Sequence, residues 1–173
     1  MCPVAVTEAS RHLLVVWHSS GGSTRVLVDA LAEAARAQDP GLRVSLRHAS
    51  RTGPQDVRGC DALVLATPEM LGTVAGQMKD CLERCYYPLR GQRPGLPVGL
   101  VVVAGTDGHP SLQQLRRVLA GQGWREVVPA VHWITGKTPD GGTDVLPKDT
   151  PAAVAAAREM GAALAAGLVL GIY

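Results

Sequence analysis

Six consecutive residues, Ser19-Ser20-Gly21-Gly22-Ser23-Thr24, concentrate four hydroxyls and two glycines between two apolar segments. The run before them, ending in Leu14-Val15-Val16-Trp17, has the form of a buried strand. After them Val26, Leu27, Ala30, Leu31 and Ala34 follow the i, i+3, i+4 rhythm of a helix. A tight Gly and hydroxyl turn that opens straight into a helix aims several backbone N–H groups at one spot. That spot favours an anion, above all a phosphate. The loop is neither a Walker A motif, since no Gly-Lys-Thr closes it, nor a GxGxxG turn.

Two further loops carry polar or Gly-rich chemistry after apolar runs. "DALVLATPEMLGTVAGQMKD" ends a strand at Thr67-Pro68 and passes through Glu69-Met70-Leu71-Gly72 toward a helix near Thr73. "VGLVVVAGTDGHP" ends in Gly105-Thr106-Asp107-Gly108-His109, with Pro110 placed to start a helix. His109 reads either as a ligand contact or proton donor, or as a solvated loop side chain. His12, His48 and His132 lie in or beside expected strands and read as structural. "TGKT" at 135–138 resembles the end of a nucleotide loop, but Val131 stands where the upstream glycine belongs, and Pro139 disfavours a following helix.

Positioning three such loops together requires alternating strands and helices. The periodicity predicts strands over 12–18, 42–48, 61–67, 97–104 and 125–133, and helices over 24–37, 73–86, 111–121 and 150–168. A single turn fits near Gln55–Arg58, and 134–149 reads as a polar loop. "DALVLAT" and "VGLVVVA" are continuous apolar runs, as expected of strands buried on both faces of a parallel sheet. Residues 1–173 are read as one three-layer α/β domain.

The chain is 46% hydrophobic with a formal net charge of +2. It has no basic stripe interleaved with aromatics, so nucleic acid is not an expected partner. "MCPVAVTEAS" lacks a basic stretch leading into a long apolar core, so no secretory leader is expected. The Ala-rich segment after Pro151 is interrupted by Arg158 and Glu159 and is read as a packed terminal helix rather than a membrane span. Cys2, Cys60, Cys81 and Cys85 form no CxxC pair and are read as reduced cytoplasmic thiols rather than metal ligands.

The three loops together resemble the flavodoxin-like superfamily, most closely its branch of NAD(P)H:quinone oxidoreductases and related FMN reductases. The middle segment carries the resemblance best, with its aspartate, apolar strand, Thr-Pro, variable loop, Gly and a helix holding Gln77-Met78-Lys79. The resemblance implies a flavodoxin-like fold of five parallel strands in the order 2-1-3-4-5. It implies FMN with its phosphate on Ser19, Ser20, Gly22, Ser23 and Thr24. The ring would lie between Thr67, Pro68, Glu69, Met70, Leu71, Gly72 and Thr73 on one side and Gly105, Thr106, Asp107, Gly108 and His109 on the other. NAD(P)H is the implied co-substrate, a quinone or similar small molecule the acceptor, and a homodimer or tetramer the assembly. No catalytic side chain and no metal is implied. Gly21 stands where the family often has a third hydroxyl, and Met70-Leu71 where it often has an aromatic. Two alternatives stand beside the oxidoreductase: a flavodoxin-type electron carrier, which the basic balance of the chain disfavours, and a flavin-free binding or regulatory domain, which the missing aromatics keep open.

Overall fold

The computed structural model describes residues 11–136 and 150–173. Most of the expected polar loop, the second half of "TGKT" and the first ten residues lie outside the described residues. The elements are β1 (His12–Trp17), α1 (Ser23–Gln38), β2 (Arg43–His48), α2 (Pro54–Arg58), β3 (Ala62–Met70), β4 (Thr73–Val74), α3 (Gly76–Leu89), β5 (Pro97–Ala104), α4 (His109–Gln122), β6 (Arg125–Glu126), β7 (Val131–Ile134) and α5 (Thr150–Val169).

The sheet runs β2-β1-β3-β5-β6, with β7 also paired to β5. Every pair is parallel except the β3–β4 hairpin. The expected order 2-1-3-4-5 holds, with one difference. The fifth strand is broken into β6, beside Pro97 and Val98, and β7, beside Val101 to Ala104. Pro129 lies in the break, and it has no N–H to give a ladder.

Alternate residues of the central strands enter two separate cores. Leu14, Val16, Leu63, Leu65, Leu100 and Val102 pack with α3 and α4. Leu13, Val15, Val64, Val101 and Val103 pack with α1 and α5. Both sheet faces are therefore apolar, which is why these strands read as unbroken hydrophobic runs.

α1 and α5 lie against each other closely enough that a Cβ on Gly161 would collide with the Leu31 carbonyl. α5 is long and apolar enough to cross a membrane by composition, yet Ala157, Leu164 and Ala165 on its inner face are core residues. The helix thus packs as the sequence leads one to expect.

The largest departure from expectation is at α3, which starts at Gly76 rather than Thr73. β3 continues past Thr67, turns at Leu71 and Gly72, and pairs back through Met70↔Thr73 and Glu69↔Val74. Both turn residues are left-handed, with φ of 54° at Leu71 and 73° at Gly72. That is the geometry of a type I′ hairpin turn.

Candidate functional site at the strand carboxyl ends

The first wall of the site is the β1–α1 loop. His18 keeps the strand register one step beyond β1, its N–H donating to the Ala66 carbonyl at 3.0 Å. The chain then turns sharply. The Gly22 N–H donates to Ser19 Oγ at 3.0 Å, and Gly22 itself has φ of 100°, a conformation that favours glycine. Val26 makes the first helical bond, to the Gly22 carbonyl at 3.1 Å. Among the described residues, no acceptor meets the N–H groups of Ser23, Thr24 or Arg25. These are the orphan donors of a helix start, at the positive end of the α1 dipole. The Arg25 side chain is occupied elsewhere: its Nε meets both carboxylate oxygens of Asp29 at 2.8 Å. Its guanidinium lies 4.7 Å from the Trp17 ring centroid.

The second wall is the β3–β4 hairpin, and Glu69 ties it to the third loop. Its carboxylate accepts the Gly108 N–H at 3.1 Å, the Ser111 N–H at 3.4 Å and the Ser111 hydroxyl at 2.9 Å. Glu69 therefore caps α4 from a neighbouring strand, the task its own N-cap, Gly108, has no side chain to perform. On the far side of the hairpin, Gln114 Oε1 accepts from Thr73 Oγ1 at 2.6 Å and from the Val74 N–H at 3.1 Å. Thr67 is fully buried, its hydroxyl donating to the Pro68 carbonyl at 3.0 Å.

Histidines flank the cleft on both sides. His18 Nδ1 lies 3.2 Å from His48 Nε2, and His18 Nε2 lies 3.4 Å from Ser20 Oγ. The Ser20 hydroxyl in turn points at Met70 Sδ, 3.7 Å away. Burial first, and the His48 ring second, push the His18 pKa below its ordinary value. On the opposite side His132 Nε2 meets the Asp107 carbonyl at 2.6 Å, and its ring stands edge-on to His109 at 4.5 Å. His109 Nδ1 bonds Asp107 Oδ1 at 2.8 Å, which holds the Asp107 carboxyl below its usual range. His48 and His132, read from sequence as structural, thus stand at the rim. His12 is at the other end of the sheet, its backbone N–H donating to Asp61.

A cleft of about 180 Å³ opens between these walls. It brings together Ser19, Ser20, Ser23 and Thr24 from the first loop, Pro68, Glu69, Met70 and Leu71 from the hairpin, and Gly105 from the third. Gly22 shapes the first loop without lining the cleft. Thr67 lies beneath it, Gly72 is at the hairpin tip and Thr73 just past it, and Thr106, Asp107, Gly108 and His109 form the outer rim rather than the lining. Val103, Ala104 and Thr135 also line it, and sequence reasoning did not single them out. The first two are the carboxyl end of β5, which the strand reading places at the site. Thr135 follows β7 and donates to the Ala104 carbonyl.

A doubly wound parallel sheet with its cleft at the carboxyl ends of β1, β3 and β5 defines a flavodoxin-like protein. Residues 52–139 match the family model described as NADPH-dependent FMN reductase. The chain belongs to that family, whose description names FMN. A flavodoxin from Aquifex aeolicus is 29% identical over 83 residues, covering 48% of this chain and 44% of its own length. The chain thus aligns with less than half of that curated relative. A flavodoxin from the domain Archaea superposes with a TM-score of 0.72 at 11% identity, over 91% of this chain and 98% of that one. A WrbA-like flavodoxin from Agrobacterium tumefaciens does so with a TM-score of 0.66 at 19% identity, over 93% and 99%.

Proposed function

We propose that the protein binds FMN in this cleft and passes reducing equivalents from NAD(P)H to a quinone or similar small acceptor. The observation that carries this reading is the set of three unmet amide donors, at Ser23, Thr24 and Arg25, beside the hydroxyls of Ser19, Ser20 and Thr24. Such a cradle fits a phosphate, and the apolar wall of Pro68, Met70, Leu71 and Val103 beside it fits a flat ring. Cofactor sites typically span about 300–1,000 Å³, so the cleft holds the polar end of the ligand and part of its ring. The flavin supplies hydride chemistry when bound. The chain binds and orients it: Ser19, Ser20, Gly22, Ser23 and Thr24 hold the phosphate, while the hairpin and Gly105–His109 flank the ring. No side-chain nucleophile is required.

Titration with FMN, followed by flavin fluorescence, tests the binding, and oxidation of NADPH or NADH by a quinone in its presence tests the reaction. No binding at millimolar FMN moves the protein to the flavin-free reading.

The Aquifex flavodoxin relationship favours a second reading, a one-electron carrier. The formal net charge of +2 opposes it, because such carriers are usually strongly acidic to meet basic partners. Reductive titration separates the two: a carrier takes up electrons in two resolved steps, the proposed enzyme in one.

Val169, Leu170 and Ile172 are exposed at the chain end, which supports a homodimer or tetramer. A monomeric mass by light scattering at micromolar concentration contradicts that assembly. The free thiols Cys60, Cys81 and Cys85 suit a cytoplasmic setting.

A further inference from the structure

We propose that His18 and His48 work as one proton-binding pair that completes the phosphate loop, so that a phosphorylated flavin docks with uptake of a proton and is preferred over riboflavin. This inference rests on the flavin reading above. A dianion on the first loop meets hydroxyls and amides but no free cation from that loop, since Arg25 is held by Asp29. The titratable side chain bonded to that loop is His18, through Ser20 Oγ at 3.4 Å, with His48 behind it at 3.2 Å.

The hydrogen bonds fix how they do so. The Ser50 N–H points at His48 Nδ1 at 3.4 Å, so Nδ1 accepts and the hydrogen sits on Nε2. His48 Nε2–H then donates to His18 Nδ1 at 3.2 Å, which places the hydrogen of His18 on Nε2. That Nε2–H faces Ser20 Oγ at 3.4 Å. An added proton enters at His48 Nδ1, where it displaces the Ser50 N–H and donates to Ser50 Oγ at 2.8 Å, and the hydrogen shared between the rings can then sit on either one. In both cases His18 Nε2 keeps its hydrogen toward the loop. The donor is constant while the charge behind it changes. At 3.2 Å the two rings hold one proton between them, not two.

Burial and the neighbouring ring oppose a charge on His18 when the loop is empty. Arg25, Arg47 and Arg51 line the pocket of about 780 Å³ beside His48, together with Trp17 and Gln77. Asp29 and Asp56 are paired with Arg25 and Arg47. Glu69, the acid of the cleft, is bonded to Gly108 and Ser111. Among the described residues no carboxylate bonds either ring of the pair. A phosphate dianion reverses this balance. FMN affinity is then expected to fall as pH rises through the pKa of the bound pair.

Calorimetric titration with FMN at pH 7.5, in two buffers of different ionisation enthalpy, counts the protons. At that pH the free phosphate is already largely dianionic. The expected result is net proton uptake with FMN and none with riboflavin. His18→Asn and His48→Gln are expected to bind FMN about tenfold more weakly, with the proton uptake lost and riboflavin affinity unchanged. A purely structural role for the pair would leave the proton count as in the wild type. FMN binding without proton uptake by the wild type, or equal uptake by both variants, overturns the inference alone. Absence of FMN binding overturns the flavin reading and this inference with it.

Discussion

Glu69 and Ser111 lie 42 residues apart in sequence and 2.9 Å apart in space, carboxylate to hydroxyl. The bond joins the hairpin that walls the cleft to the first turn of α4. Ser111 is fully buried, so removing its acceptor strands a hydroxyl as well as two backbone donors. Glu69→Ala is expected to lower stability by roughly 1–3 kcal/mol, read as a lower midpoint in urea with an unchanged slope. Glu69→Gln keeps one oxygen as an acceptor and is expected to lose less.

Gly22 has open space where a Cβ would go, but its φ is +100°. The obstacle to substitution there is backbone strain rather than collision. Gly22→Val is expected to distort the turn that aims the α1 amides and to weaken FMN at least about tenfold, from strain of roughly 1–2 kcal/mol. An unchanged affinity by fluorescence titration removes the phosphate from this loop.

Met70 is 42% exposed at the cleft, in the position where the resembling proteins often carry an aromatic. An aromatic pair adds roughly 0.5–1.5 kcal/mol beyond burial, and the thioether recovers part of that. The wild type is therefore expected to be isolated partly empty, and Met70→Tyr or Met70→Trp to bind FMN up to about tenfold more tightly. A full complement of FMN surviving extensive dialysis, or looser binding by both variants, places the ring elsewhere.

Gly161 faces the Leu31 carbonyl. A methyl group there must push α5 away from α1, since the obstacle is backbone. Gly161→Ala is expected to destabilise the fold by roughly 1–3 kcal/mol while leaving the FMN affinity of the folded fraction unchanged. Chemical denaturation and flavin titration of one sample measure both.

Burial pushes the Cys60 thiol from 9.0 up to about 12. A thiol raised on folding contributes stability that is intact below pH 9 and is lost as pH climbs toward 12. Between pH 8 and pH 10.5 the wild type is expected to lose roughly 2 kcal/mol more than Cys60→Ala. Equal losses in paired urea melts show that the thiol ionises as readily in the folded chain as in the unfolded one.

The strands and long helices were legible because each carries its own period: unbroken apolar runs for β1, β3 and β5, and a 3.6-residue rhythm for α1. The hairpin was missed because its signal is one dipeptide. Leu71-Gly72 adopts a turn usually built from Asn-Gly, and leucine does not advertise a left-handed residue. The first wall of the cleft was legible from composition alone, since hydroxyls and glycines adjacent in sequence remain adjacent in space. Pairings between loops were not. His18 meets His48 only because β2 lies beside β1 with Trp17 opposite His48, a register that no local pattern encodes. Glu69 was singled out as a loop residue, but its role depends on α4, which the chain reaches only after another strand.

The one antiparallel contact in the described sheet is the short β3–β4 hairpin. Every other pairing joins strands separated by a helix or a long connection, so the sheet cannot assemble by zipping outward from a turn. Closing such distant contacts costs chain entropy before any of them is rewarded. β1, whose end carries the first wall of the cleft, must wait for β3, with all of α1, β2 and α2 between them. Folding is therefore expected to be slow for a chain of this size, with the cleft among the last features to form.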